Sequence, residues 1–290
     1  MDRLRVGTLL ADDRSHYARV FLLKTGSKHF ASLFWKLWYP FLTGLLKHSP
    51  VAFLNYGYAE ADGRGPNLEP GDETDRPCIQ LYHHVAGAID LSGQRVLEIS
   101  CGHGGGASYV ARCLRAASVH GIDRNPKAIS FCRERHSAPG LTFSEGNALK
   151  IDFAAESFDT VINIEASHCY PDMVGFLHEV RRVLRPGGHL LYADFREKRD
   201  CDSLRADIEE SGLTIVDHED ISRGVVLGMQ QNHEKYMNLI HRLMPWPFSL
   251  AAKRFAGVKG STIYRELQSG ETIYVRYAIL KPTAHGNAAQ

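Results

Sequence analysis

Residues 96–106 read Val-Leu-Glu-Ile-Ser-Cys-Gly-His-Gly-Gly-Gly, an apolar run that contains one acid, Glu98, and leads into a glycine-rich turn. Residues 107–111, which follow the turn, have a composition compatible with a helix. Glycine lets the backbone adopt left-handed conformations and approach a ligand closely. The segment therefore predicts a strand, a ligand-binding turn and a helix in direct succession.

The pattern of this turn argues against two common phosphate sites. A dinucleotide site places its glycines as G-x-G-x-x-G under the pyrophosphate, and a P-loop continues with Lys-Ser or Lys-Thr. Neither pattern is present here. The ligand is therefore indicated by the polar residues that follow later strands.

Two later strand-like runs end at side chains suited to a nucleoside. Asp123 ends the run at residues 119–122, where an acid can accept both ribose hydroxyls or can cap the helix that begins near Pro126. The run at residues 141–143 leads to Asn147, whose amide can meet an adenine edge or simply form a turn.

A fourth run, residues 158–163, ends just before Glu165, His168 and Tyr170. In an open α/β sheet, ligands bind in the crevice at the carboxyl ends of the strands. The four strand ends therefore predict one crevice, with nucleoside-binding side chains on one part and titratable side chains on the other.

At this point the chain resembles the class I S-adenosylmethionine-dependent methyltransferases. Five elements carry the resemblance and occur in order: the acid-glycine turn, Asp123, Gly146-Asn147-Ala148, Phe158-Asp159-Thr160-Val161, and the segment 179–188. Two positions depart from the family pattern. Ser100 stands where the family has its first glycine. Asn147 replaces the aspartate of the family's usual Gly-Asp-Ala, yet its side-chain amide oxygen can still accept from the adenine amino group.

The resemblance implies S-adenosylmethionine as the cofactor and no metal. The cofactor-binding residues that it implies are Tyr56, Glu98, Ser100, Cys101, Gly102, His103, Gly104, Asp123, Arg124, Asn147, Ala148 and Asn163.

The segments 55–58 and 164–172, with Tyr82-His83-His84 between them, look like the branch of the family that methylates lipids. The similarity is strongest to the mycobacterial phthiotriolone-type and fatty-acid methyltransferases, and the sterol and tocopherol methyltransferases are more distant. In that branch, Tyr56 or Tyr58 would close over the cofactor, while Glu165 and His168 would face the substrate.

His168 is the main catalytic candidate, because an imidazole can remove a hydroxyl proton near neutral pH. If the acceptor is a carboxylate, His168 would act as an orienting donor instead. Glu165 can orient His168, contact the cofactor or act as the base, and the sequence leaves these roles open. His83 and His84 are weaker candidates, one facing the cleft and the other solvent, and in His103 the backbone is expected to matter more than the ring.

These residues predict an O-methyltransferase that acts on a hydroxyl or a carboxylate of a hydrophobic, lipid-like substrate. One alternative is C-methylation of an alkene lipid, since the segment 164–166 is also similar to the sterol and cyclopropane enzymes. Another is a non-catalytic cofactor-sensing or partner-binding protein. The Asn/Asp-Pro-Pro-Tyr pattern typical of nucleobase or amide N-methylation is missing after the fourth run, where the chain has Asn163-Ile164-Glu165-Ala166.

Composition limits the partners and the compartment. The 290 residues have a formal charge of +1 with the two signs interspersed, which argues against nucleic acid. Six cysteines without a C-x-x-C pair and a beginning without a secretory pattern favour the cytoplasm. The apolar stretch 30–46 is interrupted by Lys36 and Pro40 and is too short to span a bilayer. The aromatic segment 34–41 within it predicts a core helix, a lining for a substrate tunnel, or a peripheral contact with the inner membrane face. The oligomeric state has no signature in the sequence.

The alternation of strand-like and helix-like segments predicts an α/β fold, a Rossmann-like doubly wound and mostly parallel sheet with helices on both faces and a helical cap or lid. We expect a cap and loop at residues 1–80, the cofactor-binding core at 81–220, a lid at 221–270, and the last strand and a tail at 271–290. Residues 221–270 are too long for a simple connection. They contain a helix-like segment at 232–243 and are expected to pack with the cap.

Overall fold

Seven strands pair into one sheet in the computed structural model, which describes residues 51–244 and 249–283. Their spatial order is β3-β2-β1-β4-β5-β7-β6. The strands are β1 (Arg95–Ile99), β2 (Ser118–Asp123), β3 (Leu141–Glu145), β4 (Phe158–Ile164), β5 (Leu184–Glu197), β6 (Thr214–Asp220) and β7 (Thr272–Leu280).

The pairing between strands brings the predicted polar residues to one edge of the sheet. Strands β3, β2, β1, β4 and β5, in this spatial order, are parallel to one another, so their carboxyl ends share that edge. Strand β7 is antiparallel to both β5 and β6. The predicted doubly wound, mostly parallel sheet is confirmed.

Eight α-helices are present in the described parts of the chain. They are α1 (Arg76–Ala86), α2 (Gly105–Cys113), α3 (Pro126–Arg135), α4 (Met173–Val183), α5 (Cys201–Glu210), α6 (Ser222–Leu243), α7 (Ser249–Phe255) and α8 (Thr262–Ser269). Helix α1 packs against α2 and α6, while α4 packs against α5. A helix follows each of β1, β2 and β4 and leads to the next strand. Such crossover helices lie on the faces of a parallel sheet and cover both of them with apolar side chains.

The core is built from fully buried aliphatic and aromatic side chains of the central strands and their helices. Leu97, Val161 and Leu190 lie on three neighbouring strands and have no exposed surface. They belong to one apolar cluster with Phe176 and Val180 of α4. This packing fixes the strand ends and with them the site.

Helix α6 begins at Ser222 rather than near residue 232, where the sequence pattern predicted its start. Its first half contains Gly224 and Gly228, which normally weaken a helix. A Cβ on Gly224 would lie 2.1 Å from the Tyr58 ring, and one on Gly228 would lie 2.4 Å from the Tyr58 nitrogen. The two glycines are therefore required by close packing of α6 against the segment that contains Gly57 and Tyr58.

The predicted polar loop at residues 61–76 is irregular up to Asp72 and then enters α1. The predicted aromatic segment 34–41 and residues 1–50 of the cap lie outside the described residues, whereas the described part of the cap packs against α6 of the predicted lid. The domain boundaries therefore stay a prediction. None of the helices in residues 51–244 and 249–283 is long and apolar enough to cross a membrane.

Candidate functional site

The turn after β1 has the left-handed backbone that its glycines predicted. Gly102 has φ +57° and Gly104, the N-cap of α2, has φ +77°. Ser100 has φ +60°, a conformation that glycine adopts freely and serine rarely adopts. The position that departs from the family pattern is thus one where the backbone itself favours glycine, and the strain there is typical of functional sites.

Glu98 and Tyr82 form a buried pair beneath this turn. The Tyr82 hydroxyl donates to Glu98 Oε1 at 2.5 Å, and Glu98 is 2% exposed. A Cβ on Gly106 would lie 1.9 Å from the Tyr82 ring, so the ring occupies the space that this glycine leaves. Burial raises the pKa of Glu98 to about 8, although the Tyr82 hydrogen bond opposes the shift. The pair is therefore mainly uncharged near neutral pH.

Asp123 ends β2 and is held by the glycine turn. Its Oδ2 accepts from the Gly102 amide at 3.0 Å, and its Oδ1 accepts from the Asn125 amide at 2.8 Å. The cap of α3 is Asn125, which accepts from the Lys127 amide, so the interpretation of Asp123 as the helix cap is wrong. Burial raises the pKa of Asp123 to about 6. The neighbouring Arg124 is exposed.

Ser100, Asn163 and Tyr170 connect the ends of β1 and β4. The Ser100 hydroxyl lies 2.7 Å from the Tyr170 hydroxyl. The side-chain nitrogen Nδ2 of Asn163 donates to Ile99 O and to the Tyr170 hydroxyl, both at 2.9 Å. Its Oδ1 is buried with no hydrogen-bond partner among the described residues. Such an atom needs a donor, and a bound ligand is one way to supply it.

His168 is held by Asp194 of β5. The ring Nδ1 of His168 lies 2.8 Å from Asp194 Oδ1, and the His168 amide donates to Asp194 Oδ2 at 2.9 Å. Because a carboxylate only accepts, Nδ1 carries the proton and Nε2 points away from Asp194. The His168 side chain is 23% exposed, whereas that of Asp194 is fully buried.

The Asp194 carboxylate is saturated with donors. Its Oδ1 also accepts from the Phe195 amide at 2.9 Å, and its Oδ2 also accepts from the Ser167 hydroxyl at 2.7 Å. Arg196 lies 3.4 Å from Oδ2 and donates to the Ser167 hydroxyl at 2.6 Å. One buried carboxylate therefore faces two basic side chains, His168 and Arg196.

The charges in this group act on one another. Burial alone would raise the pKa of Asp194, but His168 and Arg196 hold it well below its ordinary value. Burial likewise opposes protonation of His168, but Asp194 and, to a smaller extent, the neighbouring Cys169 outweigh it and raise the pKa of His168 to about 10. Near neutral pH the group therefore contains an anion and two cations.

Glu165 follows β4 in a left-handed conformation, with φ +49°. Its Oε1 accepts from the Tyr56 amide and from the Tyr274 hydroxyl, each at 2.9 Å. Burial raises the pKa of Glu165 to about 8. Since Asp194 holds the His168 ring, the suggestion that Glu165 orients His168 is wrong. Glu165 instead connects the segment before α1 to strand β7.

Tyr56 brings the region between β6 and β7 to the site. Its ring lies 5.6 Å from that of Phe195, which in turn lies 4.4 Å from the His168 ring. A Cβ on Gly257, in the turn after α7, would lie 2.6 Å from the Tyr56 ring. The segment that follows α7 therefore packs directly on an aromatic side chain of the candidate site.

Two predicted residues of the glycine turn have structural partners. The ring of His103 is 1% exposed, and its Nδ1 lies 2.8 Å from Val51 O, while its backbone oxygen lies 2.8 Å from His136 Nε2. The expectation that its backbone matters more than its ring stays a prediction. The neighbouring Cys101 is buried. His103 therefore anchors the start of the described chain to the turn.

The remaining predicted residues lie farther out along the rim. Asn147 is exposed, and its Oδ1 accepts from the Leu149 amide at 3.1 Å, which favours the turn-forming alternative. Ala148 is buried in the apolar cluster.

The two histidines of α1 have partners of their own. His83 is exposed, and its Nδ1 lies 2.8 Å from the Tyr109 hydroxyl. His84 stacks on Tyr58, and its Nε2 lies 2.9 Å from Glu219 Oε2.

The sequence reasoning missed Asp194 and Tyr274. Asp194 follows the apolar run 190–193, and an acid there needs a buried partner, which was the available signal. Tyr274 had no such signal, because aromatic residues are common in strands.

A family profile described as a methyltransferase domain matches residues 90–243. The chain is 43% identical, over 90% of its length and 97% of the relative, to a phthiotriol/phenolphthiotriol dimycocerosates methyltransferase of Mycobacterium leprae. It is 41% identical, over 85% of its length and 89% of the relative, to a fatty-acid O-methyltransferase of Mycolicibacterium smegmatis. These similarities confirm the resemblance that the motifs indicated.

Among solved structures, the [4+2]-cyclase SpnF superimposes with a TM-score of 0.68 at 23% identity, over 85% of this chain and 94% of that one. At this identity the likeness concerns the fold alone. A fold of this kind hosts more than one chemistry, so the reaction has to be argued from the site.

Proposed function

The chain belongs to the methyltransferase family, and from that premise we propose that it transfers the methyl group of S-adenosylmethionine to an oxygen atom of a hydrophobic, lipid-like acceptor. The relatives named above are, by their names, enzymes of phthiotriol dimycocerosates and of fatty acids. Both groups of acceptors combine long apolar chains with an oxygen atom, and the proposal extends this chemistry to the present chain.

The residues at the ends of β1, β2 and β4 fit the cofactor. Asp123 would accept from the ribose hydroxyls, and Asn163 Oδ1 is a buried acceptor that an ammonium group would satisfy. The Ser100 hydroxyl, 2.7 Å from the Tyr170 hydroxyl, would add a further polar group to this part of the site. When bound, S-adenosylmethionine would supply a methyl group already activated by a positively charged sulfur. The chain then has to align the acceptor oxygen and exclude water.

For the acceptor oxygen, we propose a carboxylate, with His168 as the orienting donor. The geometry supports this assignment, because Asp194 holds Nδ1 and leaves Nε2 of a partly exposed ring available to an acceptor. Asp194 also faces Arg196, so the group as a whole has one more cation than anion when His168 is protonated. A carboxylate is already ionised near neutral pH and needs no base.

The observation that carries this proposal is the contact between the His168 ring and the buried, donor-saturated Asp194. If the acceptor were an alcohol, His168 would have to be neutral to accept its proton. The raised pKa of His168 makes the neutral ring a minor form near pH 7. The charge state of this residue therefore separates the two kinds of O-methylation.

C-methylation of an alkene is the second candidate. It is favoured by the aromatic side chains of Tyr56, Phe195 and Tyr274 close to Glu165, since aromatic rings and an acid would stabilise a carbocation bound beside them. The new bond distinguishes the candidates, because a methyl ester, a methyl ether and a C-methyl product fragment differently in a mass spectrometer.

The decisive experiment supplies the purified chain with S-adenosylmethionine and, separately, palmitate, hexadecanol and an alkene lipid. We expect S-adenosylhomocysteine and methyl palmitate. Turnover should be level through neutral pH and should decline as the pH approaches about 10, because His168 loses the proton it donates. Turnover that appears only with hexadecanol and rises with pH would instead indicate a base.

The variant His168→Ala tests the residue directly. We expect turnover of palmitate to fall about 10- to 100-fold, the range for a lost hydrogen bond to a charged group. His178→Ala removes an exposed histidine of α4 and is the matched control, with turnover unchanged. Near-normal turnover of His168→Ala would exclude both an essential donor and an essential base. If the unaltered chain formed no S-adenosylhomocysteine with any of the acceptors, a non-catalytic protein would be favoured.

We propose the cytoplasm as the compartment of this reaction. The six cysteines are free in the structure, which supports a reducing environment.

A further inference from the structure

Residues 235–265 contain six lysine and arginine residues and no aspartate or glutamate, whereas the whole chain has a formal charge of +1. The six cations are Lys235, Arg242, Lys253, Arg254, Lys259 and Arg265. They extend from the second half of α6 through α7 into α8. A run of one sign on a nearly neutral chain indicates a partner of the opposite charge.

Most of these cations have no acidic partner among residues 51–244 and 249–283. Lys235 is paired with Asp75, and Arg265 donates to Gly260 O at 3.1 Å. Arg242, Lys253 and Lys259 make no ion pair with the described residues, and Arg254 has Glu266 as an acidic neighbour beyond ion-pair distance. The free cations therefore cluster around α7.

Helix α7 presents a distinct outward face. Leu250, Lys253 and Arg254 have the i, i+3, i+4 spacing that places side chains on one side of a helix. Ala252, on the opposite side, is 3% exposed and faces the protein. Leu250 is 67% exposed, the highest value for a large apolar side chain in the described parts of the chain. We call Leu250, Lys253 and Arg254 the α7 face.

The α7 face lies beside the candidate acceptor site. The helix is followed by Gly257, whose backbone packs on the Tyr56 ring. Tyr56 contacts Phe195 and, through its amide, Glu165. A surface bound by α7 would therefore be close to the residues that receive the acceptor.

We propose that the α7 face docks on an anionic lipid surface and thereby places the acceptor site next to the leaflet that contains its substrate. This inference rests on the proposed function, because a lipid acceptor is present in membranes and scarce in water. An exposed leucine flanked by two cations matches the boundary between acyl chains and anionic headgroups, where the leucine is buried and the cations stay at the headgroups. The absence of acids from residues 235–265 favours an anionic partner over a neutral or cationic one.

The test measures binding of the full chain to sedimented vesicles without any turnover. One set of vesicles is phosphatidylcholine alone, and the other contains equal parts of phosphatidylcholine and phosphatidylglycerol. We expect binding to the anionic vesicles only, weakened by salt. The double variant Lys253→Glu/Arg254→Glu should bind at least about thirtyfold more weakly, since loss of the two cations alone accounts for that factor and the two new carboxylates add repulsion. Leu250→Ser should also weaken binding, by about tenfold.

The matched control is Arg135→Glu/Lys198→Glu, which reverses two exposed cations elsewhere and changes the net charge by the same amount. We expect its binding to equal that of the unaltered chain. Equal binding to both kinds of vesicle, or an equal loss in the control, would overturn the proposal. So would retention of vesicle binding by the α7 variants, because the basic face would then serve another partner, such as an acidic protein.

A water-soluble acceptor separates this inference from the proposed function. With octanoate, the Lys253→Glu/Arg254→Glu variant should turn over at the rate of the unaltered chain, whereas its rate with palmitate held in anionic vesicles should fall. If neither acceptor is methylated while vesicle binding behaves as expected, the proposed function fails and the docking surface stands.

Discussion

Glu98 and Asp194 are both buried acids near the strand ends, 2% and 0% exposed, yet their pKa values move in opposite directions. Glu98 pairs with the neutral hydroxyl of Tyr82, and burial raises its pKa to about 8. Asp194 faces His168 and Arg196, which keep it ionised. Burial alone thus does not set the charge of an acid, because a charged partner can keep a buried acid ionised whereas a neutral partner does not.

The two regions accordingly have different electrostatic designs. The glycine turn, which we propose to hold the cofactor, is supported from below by an uncharged pair. The cluster of His168, Asp194 and Arg196, which we propose to hold the acceptor, is supported by buried ions. Substitutions that are chemically alike should therefore have unequal effects in the two regions.

The largest expected effect comes from Asp194→Asn. It leaves His168 and Arg196 without their anion, and the free energy of unfolding should fall by about 3–5 kcal/mol. Glu98→Gln replaces a carboxyl that is mainly neutral near pH 7, so its cost should be about 1 kcal/mol. Urea denaturation of the two variants measures the difference, and equal losses would contradict the contrast between the regions.

A smaller effect is expected for Gly106→Ala. The added Cβ would overlap the Tyr82 ring, and the strain should lower the free energy of unfolding by about 1–3 kcal/mol. Gly71→Ala is the matched control, because a Cβ there meets no atom within 4 Å and the φ is not left-handed. Thermal or urea unfolding of both variants provides the measurement. A loss as small as that of the control would show that Tyr82 can move away from Glu98.

The dependence of stability on pH should differ between the two acids. The folded chain keeps the proton of Glu98 between its ordinary pKa of 4.5 and about 8, whereas the unfolded chain releases it. Stability from this group is thus complete below pH 4.5 and is lost as the pH rises, by up to about 1.4 kcal/mol per unit. Glu98→Gln should reduce this slope when unfolding is measured from pH 5 to 8.

Asp194 contributes on the acid side instead. Its pKa lies below the ordinary value of 3.8, so its contribution is present above pH 3.8 and is lost as the pH falls. Asp194→Asn should therefore leave the slope between pH 5 and 6 as it is in the unaltered chain, and it should flatten the slope above pH 6.5, because His168 loses the anion that raises its pKa. A slope between pH 5 and 6 that flattens in Asp194→Asn and persists in Glu98→Gln would reverse the assignment of charges.

The smallest effect is expected at the rim, for Asn147→Ala. This variant loses the hydrogen bond to the Leu149 amide in an exposed turn, which should cost about 0.5–1 kcal/mol of stability. Affinity for S-adenosylmethionine, measured by calorimetry, should change about twofold or less. A tenfold loss would indicate that Asn147 contacts adenine after all.

The strands could be predicted from the sequence because apolar runs that end at polar residues are local patterns. Strand β7 covers the residues that its pattern indicated, 272–280. Helix α6 was harder, since Gly224 and Gly228 weaken a helix locally and are required only by the tertiary contact with Tyr58. From the sequence alone one sees that a glycine weakens the helix, but not which side chain packs against it.

The candidate site was predictable to a similar degree. The positions of Asp123, Glu165 and His168 at the strand ends followed from the alternation of strands and helices. Their partners did not, because Asp194 lies 26 residues from His168 and Tyr274 lies 109 residues from Glu165. Pairing at such separations depends on the order of strands in the sheet, which local patterns do not encode.

The position of β7 has a consequence for how the protein is made. This strand enters between β5 and β6 and brings the Tyr274 hydroxyl to Glu165, although a ribosome makes it after the other six strands. Until then, the nascent chain has an open strand edge along β5, from His189 to Glu197. An unpaired edge of this length invites aggregation, so a chaperone that shields it during translation would raise the yield of active protein.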